Sequence, residues 1–450
     1  MTSDLATRIL QGDSTLWGQD TVAANRLGWL GAITPPHEYV TDLIRWAESI
    51  DQGRILVLGM GGSGLGPRVF SEFSRWFNAK TQRSLTIIDS TDPRSVQDLD
   101  LTDTAIVVSS KSGTTVETDS LFRFFFARMA KPDRFIAITD SGTQLDQQAR
   151  ELGFKRVFNT AKNIGGRFSA FTDFAMVPAA LAGIDIAEVF TGAQRCDPGS
   201  WVSLGEKLGA DANTGIDAVE LRYELGHNYS LALWSEQILA ESTGKEKRGL
   251  IPVPTHQSEG NYSRSKIELR AESVQELAKH LFGMQLATAS AGYALGIDPF
   301  DEPDVEVSKA LTQKILSGET AKPEVVETDF SALADHLGNS LGNGDYVAIS
   351  AYQPLDYESD LEKQRSQLAL ELRSNPITAG LAPRHLHSTG QLHMGGPQKL
   401  HLIQVISRSY GASVPIPGMD FDFNSLITAQ ADGDAIALAE RGQKVSRIYL

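Results

Sequence analysis

The chain has 450 residues, ordinary apolar (41%) and charged (22%) fractions, one cysteine and a formal net charge of −15. That length accommodates two or three domains with ample cores. The net acidity argues against nucleic acid or an anionic membrane surface as the main partner, and the lone Cys196 excludes an internal disulfide framework and suits a reducing compartment. No apolar run approaches membrane-spanning length, and Met1-Thr2-Ser3-Asp4-Leu5-Ala6 has no basic stretch leading into an apolar core. The expectation is a cytoplasmic protein with no signal peptide and no membrane partner.

In chain order, Ile55–Met60, Leu85–Asp89, Ala105–Ser110, Phe135–Thr139 and Arg156–Asn159 read as short buried strands separated by polar helical stretches. That alternation predicts an α/β fold, a parallel sheet with helices on both faces. Ligands in such sheets bind beyond the carboxyl ends of the strands.

The first strand ends in Gly59-Met60-Gly61-Gly62-Ser63-Gly64-Leu65-Gly66-Pro67, which satisfies G-x-G-x-x-G, and Asp89 ends the next strand. A dinucleotide site is therefore a rival expectation. Ser63 places a hydroxyl inside the loop and Pro67 falls in the expected first helical turn; both count against a nicotinamide cofactor.

The third strand runs into Ser109-Ser110-Lys111-Ser112-Gly113-Thr114-Thr115-Val116-Glu117-Thr118. Backbone N–H groups at the start of the following helix favour an anion. The hydroxyls add donors and Lys111 a point charge. Capping a helix needs one hydroxyl, whereas residues 109–115 carry five. Two anion-friendly loops on one sheet suit one small phosphorylated ligand.

Downstream, Asn163-Ile164-Gly165-Gly166-Arg167-Phe168-Ser169 pairs glycines that permit close backbone approach with a planar cation. The pattern loosens around Ala210–Ile216, which places a domain boundary within Pro198–Gly215 and divides the chain into residues 1–205 and 206–450. Helical patterns are expected near Ala218–Glu224 and over Val274–Leu295, and strands at Tyr346–Ser350 and Leu400–Ile406. Glu241-Ser242-Thr243-Gly244-Lys245 closes an amphipathic stretch ending Glu236-Gln237-Ile238-Leu239-Ala240. A carboxylate there is either a partly desolvated general base or a solvated residue at a helix end.

Taken in order, Gly-Gly-Ser, Ser-Lys-Ser-Gly-Thr-Thr, Gly-Gly-Arg-Phe-Ser and Glu-Ser-Thr-Gly-Lys resemble the phosphoglucose isomerase family. The resemblance extends to Asp298-Pro299-Phe300-Asp301-Glu302-Pro303-Asp304-Val305-Glu306-Val307-Ser308-Lys309. It also includes Leu386-His387-Ser388-Thr389-Gly390-Gln391-Leu392-His393-Met394-Gly395-Gly396-Pro397. This late segment is similar to the isomerase portion of bacterial transaldolase–isomerase fusions; this chain carries no transaldolase portion.

The resemblance implies two sugar-isomerase (SIS) domains, each a doubly wound, flavodoxin-like α/β/α sandwich, usually in a homodimer. It implies no metal and no organic cofactor, and a small-molecule sugar phosphate as ligand. The implied activity interconverts glucose 6-phosphate and fructose 6-phosphate in glycolysis and gluconeogenesis. By matching positions, Ser63, Ser110, Lys111, Ser112 and Thr115 bind the 6-phosphate, and Gly62, Thr114 and Gly166 are further substrate-binding residues. Glu241 moves the proton between C2 and C1 through a cis-enediol, Arg167 stabilises the developing charge, and Gln237 holds a sugar hydroxyl. Lys309 and His387 assist ring opening, with His385 and His393 as alternatives to His387.

Three departures stand out. Glu302 replaces a glutamine common in the family, the histidine motif follows Lys309 instead of preceding it, and Met394 replaces a lysine common in the fusion-type motif. Mannose 6-phosphate or 6-sulfoquinovose fits the same anion cradle. A non-catalytic sugar-phosphate sensor is a third reading, which the presence of both Glu241 and Arg167 argues against.

Overall fold

Apolar, β-branched runs become central parallel strands because both faces of such a sheet are buried. The computed structural model describes residues 4–19, 21–76, 83–226, 228–319 and 322–450; residues 1–3 of the amino-terminal stretch read above lie outside them. The first sheet contains β1 (Arg54–Leu58), β2 (Ser84–Ile88), β3 (Thr104–Ser109), β4 (Phe135–Asp140) and β5 (Arg156–Thr160), all at the expected places. Its order is β2-β1-β3-β4-β5, with every neighbouring pair parallel. The strand order reverses between β1 and β3, so their carboxyl ends open a crevice between the Gly59–Gly64 loop and the Ser110–Thr115 loop. The helix after β1 spans Gly62–Trp76, which places Pro67 in its second turn and not its first.

A short parallel sheet follows, with β6 (Ala218–Tyr223) between β7 (Ile251–Thr255) and β8 (Arg264–Leu269). Here the structure corrects the helix expected near 218–224. Ala, Leu, Glu and Arg are good helix formers, and they dominate this segment. Tertiary pairing overrides that preference: Glu220 is fully buried in the strand and takes an ion pair from Arg264 Nε at 2.6 Å.

The third sheet holds β9 (Val326–Thr328), β10 (Tyr346–Tyr352), β11 (Ile377–Leu381), β12 (Leu400–Ile406) and β13 (Lys444–Tyr449) in the order β11-β10-β12-β13-β9, again all parallel. The strands β10 to β13 repeat the arrangement of β1 to β4, and β9 supplies the fifth position from the preceding part of the chain. Both doubly wound sandwiches implied by the family resemblance are therefore present. The boundary between residues 205 and 206 falls inside helix Pro198–Asn213. That helix packs against helix Val274–Leu295 so closely that a Cβ on Gly205 would lie 2.0 Å from the Ala287 carbonyl oxygen. The passage to the next sheet lies at 214–217, between that helix and β6.

Helix Arg384–Gly395 of the last sandwich docks on the first. Arg384 meets Asp89, at the end of β2, with Nη1–Oδ2 3.2 Å, and donates from Nη2 to Glu358 at 2.6 Å; Glu358 also pairs with Arg68. Breaking one partner of such a buried network typically costs about 3–5 kcal/mol. The network fixes helix Arg384–Gly395 over the carboxyl edge of the first sheet.

Candidate active site

The helix Tyr229–Thr243 is buried along almost its whole length and carries Glu241 on its last turn. Glu241 Oε1 accepts from Arg167 Nη1 at 3.2 Å, and Oε2 accepts from Gln237 Nε2, one turn earlier, at 2.9 Å. Burial holds the Glu241 carboxyl above its ordinary range, and the nearby charge of Glu302 pushes the same way, against the pull of Arg167. Of the two readings open for this carboxylate, the desolvated one describes it. Gln237 spends its amide N–H on Glu241, and its Oε1 is buried without a partner.

Arg167 lies in the short turn Gly166–Phe168 and is 2% exposed. It also meets Glu302 Oε2 at 2.7 Å. Burial opposes its charge, but Glu241 and Glu302 outweigh that cost and raise its pKa. The paired glycines do steric work here. A Cβ on Gly62 would lie 2.2 Å from the Gly166 carbonyl oxygen, so the two glycine loops are pressed together at the crevice. Ser63 sits beside them, buried at the start of its helix.

Between β3 and helix Val116–Met129 the hydroxyl loop folds on itself. Ser110 Oγ lies 3.1 Å from Thr115 Oγ1 and accepts from Gly113 N at 3.2 Å; Ser112 Oγ accepts from Thr114 N at 3.2 Å. Gly113 has φ +69°, a left-handed turn that suits glycine. Thr115 holds the N-cap position, yet its side chain makes no capping bond. The loop hydroxyls thus bond within the loop, at the amino end of helix Val116–Met129, and Thr115 does not cap that helix. Lys111 differs from expectation: its ammonium pairs with Asp140 at the end of β4 and does not line the cavity.

A cavity of about 440 Å³ opens in front of these groups. Its wall includes Ser112, Thr114, Thr115, Glu241, Glu302, Lys309 and His387, together with Glu117, Gln430 and Asp434. Gly62, Ser63, Ser110, Gly166, Arg167 and Gln237 are not among the residues that line it. His387 Nε2 lies 2.8 Å from Glu117 Oε1, which also accepts from Gln430 Nε2 at 2.7 Å. Burial disfavours the imidazolium, but Glu117 outweighs it and raises the His387 pKa. Lys309 Nζ is half-exposed at the rim, 2.6 Å from Glu306.

His385 and His393 point the other way. One helical turn apart from Thr389 on either side, they share the inner face of their helix. His385 meets Ser350 Oγ at 2.8 Å, and His393 lies between Tyr346 OH (3.1 Å) and Thr389 Oγ1 (2.9 Å). Burial pushes the His393 imidazole down to about 3 and His385 well below its ordinary value. Both are neutral core residues.

Sequence reasoning missed Glu117, Gln430 and Asp434. Glu117 lies inside the quoted loop motif, in the first turn of the helix, where an acidic residue is ordinary. Gln430 and Asp434 come from helix Phe423–Glu440, which carries no local signal. Burial pushes the Asp434 carboxyl up to about 6, against its bonds from Ser308 and Tyr352. The dinucleotide reading loses its acidic partner, because Asp89 is buried and committed to Arg384.

Comparison with known proteins bears on the family. The family model for phosphoglucose isomerase matches residues 47–201. The glucose-6-phosphate isomerase of Bacillus cytotoxicus is 30% identical over 322 residues, covering 64% of this chain and 70% of that protein.

The chain belongs to the phosphoglucose isomerase family.

A glucose-6-phosphate isomerase of Desulfitobacterium hafniense is 29% identical over 243 residues, 47% of this chain. The chain covers only 45% of that relative's length, and 62% of the Campylobacter jejuni enzyme's. The solved glucose-6-phosphate isomerase of Chlamydia trachomatis shares the fold at 20% identity, with a TM-score of 0.53 over 70% of this chain and 78% of that one. Family membership makes a sugar-phosphate isomerase the frame for the site.

Proposed function

We propose that this chain interconverts glucose 6-phosphate and fructose 6-phosphate through a cis-enediol intermediate. The observation that carries this reading is Glu241, a partly buried carboxylate held by Arg167 and Gln237 at the wall of a cavity rimmed by the Ser110–Thr115 hydroxyl loop.

In this mechanism the phosphate sits against Ser110, Ser112, Thr114 and Thr115, with Ser63 and the amino end of helix Val116–Met129 behind it. Dipole and hydroxyl donors there favour the dianion. Lys111 is left out of the anchor because Asp140 holds its ammonium. The closed sugar must first open: the ring oxygen gains a proton as the anomeric hydroxyl loses one. His387, whose imidazolium form Glu117 favours, gives its proton to the ring oxygen and takes one back from the anomeric hydroxyl, and Lys309 stands beside it on the cavity wall. Glu241 then takes the proton from C2 and returns it to C1. Its raised pKa makes it a stronger base than an exposed glutamate, closer to the optimum for proton transfer near neutrality. Arg167 faces the negative charge that develops on the enediolate oxygens. Action as a homodimer in cytoplasmic glycolysis and gluconeogenesis belongs to the same proposal.

The test is an assay of purified protein for fructose 6-phosphate formed from glucose 6-phosphate, with mannose 6-phosphate and 6-sulfoquinovose in parallel. Turnover of glucose 6-phosphate above the other two supports the proposal. Preferential turnover of either alternative reassigns the substrate, and phosphate-dependent binding without any turnover makes the chain a sensor.

A further inference from the structure

Arg167 sits in the site with every N–H committed. Nε donates to Ser242 Oγ at 2.8 Å, and Nη2 donates to the carbonyls of Pro299 and Asp301 at 2.8 and 2.9 Å. Nη1 donates to Glu241 at 3.2 Å and to Glu302 at 2.7 Å. A guanidinium has five donors in a fixed fork, so none is spare for a substrate oxygen. Two of its acceptors are main-chain carbonyls and Ser242 is fully buried. Glu241 is pinned through its other oxygen by Gln237. Glu302 differs from all of these: its side chain is 46% exposed, lines the cavity, and makes its one side-chain hydrogen bond among the described residues to Arg167.

We propose that Glu302 is an internal stand-in for the anionic intermediate, holding the Arg167 Nη1 donor that the developing enediolate oxygen needs and yielding it during turnover. The inference rests on the isomerase reading above. A carboxylate oxygen and an enediolate oxygen are both anionic acceptors for a planar cationic donor. They compete for one N–H, and two such charges side by side repel. A ground-state sugar, neutral at C1 and C2, meets much less of this competition, so Glu302 acts on the difference between ground state and transition state. Once displaced, it is an acceptor-only group on the cavity wall, suited to a hydroxyl donor of the bound sugar. Glu302 is thus a positioning residue acting through Arg167.

The same geometry has a pH consequence. The groups facing Glu241 are Arg167 from the Gly166–Phe168 turn, Gln237 on its own helix, Glu302 from the segment before helix Glu306–Leu316, and His387 from helix Arg384–Gly395. Burial is the largest cause of the raised Glu241 pKa, and Glu302 adds to it. Removing the Glu302 charge lowers that pKa and moves the acid limb of kcat/KM to lower pH.

The experiment compares wild type, Glu302→Gln and Glu302→Ala. The glutamine keeps shape and a hydrogen bond to Arg167, so it tests charge without loosening the fold. Two ligands are titrated by calorimetry: a five-carbon aldonate 5-phosphate, whose carboxylate copies the enediolate, and a 1,5-anhydrohexitol 6-phosphate, which carries the same phosphate on a neutral ring. In Glu302→Gln the aldonate tightens about 10- to 100-fold more than the anhydrohexitol phosphate, as removal of one like charge at contact implies. The acid limb of kcat/KM shifts down in the same variant, and Glu302→Ala shows an aldonate gain at least as large. Wild type that binds both ligands, with a ratio neither substitution raises, overturns the stand-in role alone. Wild type that binds neither ligand and turns over no hexose phosphate overturns the isomerase reading and the stand-in role with it.

Discussion

His387 and Glu117 lie 270 positions apart in the chain and 2.8 Å apart in the molecule. One comes from the first helix turn beyond the hydroxyl loop of the first sheet, the other from a helix of the third, so their pairing joins the phosphate loop to the group proposed to open the sugar ring. Burial alone would hold His387 neutral; Glu117 reverses that and raises its pKa, while His387 and its hydrogen bond lower that of Glu117 against the same burial.

The sign of the pair's effect on stability follows. A histidine with a raised folded pKa contributes fully below its ordinary value of 6.5, and that contribution is lost as pH rises through the folded pKa. A glutamate with a lowered pKa contributes fully above 4.5, and that is lost as pH falls through its folded pKa. The pair is therefore strongest between these values. Glu117→Gln is expected to lower the His387 pKa, read by NMR of its ring protons, and to slow turnover of closed-ring hexose phosphate more than exchange of the C2 proton in the open form. An unmoved His387 titration rejects the pairing.

Glu241→Gln keeps the shape of the side chain and removes its basicity. Turnover is expected to fall about 10²–10⁴-fold, with hexose-phosphate affinity little changed by calorimetry. Near-native turnover in this variant would assign the proton transfer to another group.

The hydroxyl loop offers a binding test. Ser110 and Thr115 touch each other through their hydroxyls, so both point at one place. Ser110→Ala combined with Thr115→Ala should weaken hexose phosphate and inorganic phosphate together, by roughly 1.5–3 kcal/mol for each charge-assisted bond removed. Competition by inorganic phosphate that is unchanged in the double variant would put the anion elsewhere.

Glu236, five residues before Glu241 on the same helix, has no place in the proposed chemistry. It is buried against Thr378, and burial pushes its carboxyl up to about 8. The native state thus binds a proton that the unfolded chain releases near 4.5, so stability falls as pH rises from there toward 8. Glu236→Gln should remove that fall. Its Tm should exceed that of wild type at pH 8 and match it more closely at pH 5, at about 1.4 kcal/mol per unit of pKa difference. Parallel Tm curves for the two proteins would contradict a protonated Glu236.

What the sequence determined by itself was local. The strands β1 to β5 were legible because fully buried parallel strands are apolar runs bounded by polar helices. The anion loop was legible because its chemistry is crowded into residues 109–115, and Glu241 and Arg167 stood in short motifs of their own. Only the tertiary structure decided the rest. Glu220 and Arg222 made β6 look helical, since nothing nearby shows that Arg264 neutralises Glu220 inside a sheet. Lys111 reads as a phosphate ligand until β4 brings Asp140 to it. Among three histidines within nine residues, choosing His387 requires knowing which face of helix Arg384–Gly395 meets Glu117 and which meets Tyr346 and Ser350. The physical reason is the same each time. Whether a charge is free, paired or neutral depends on burial and on partners within a few ångströms, and these partners come from segments up to hundreds of residues away.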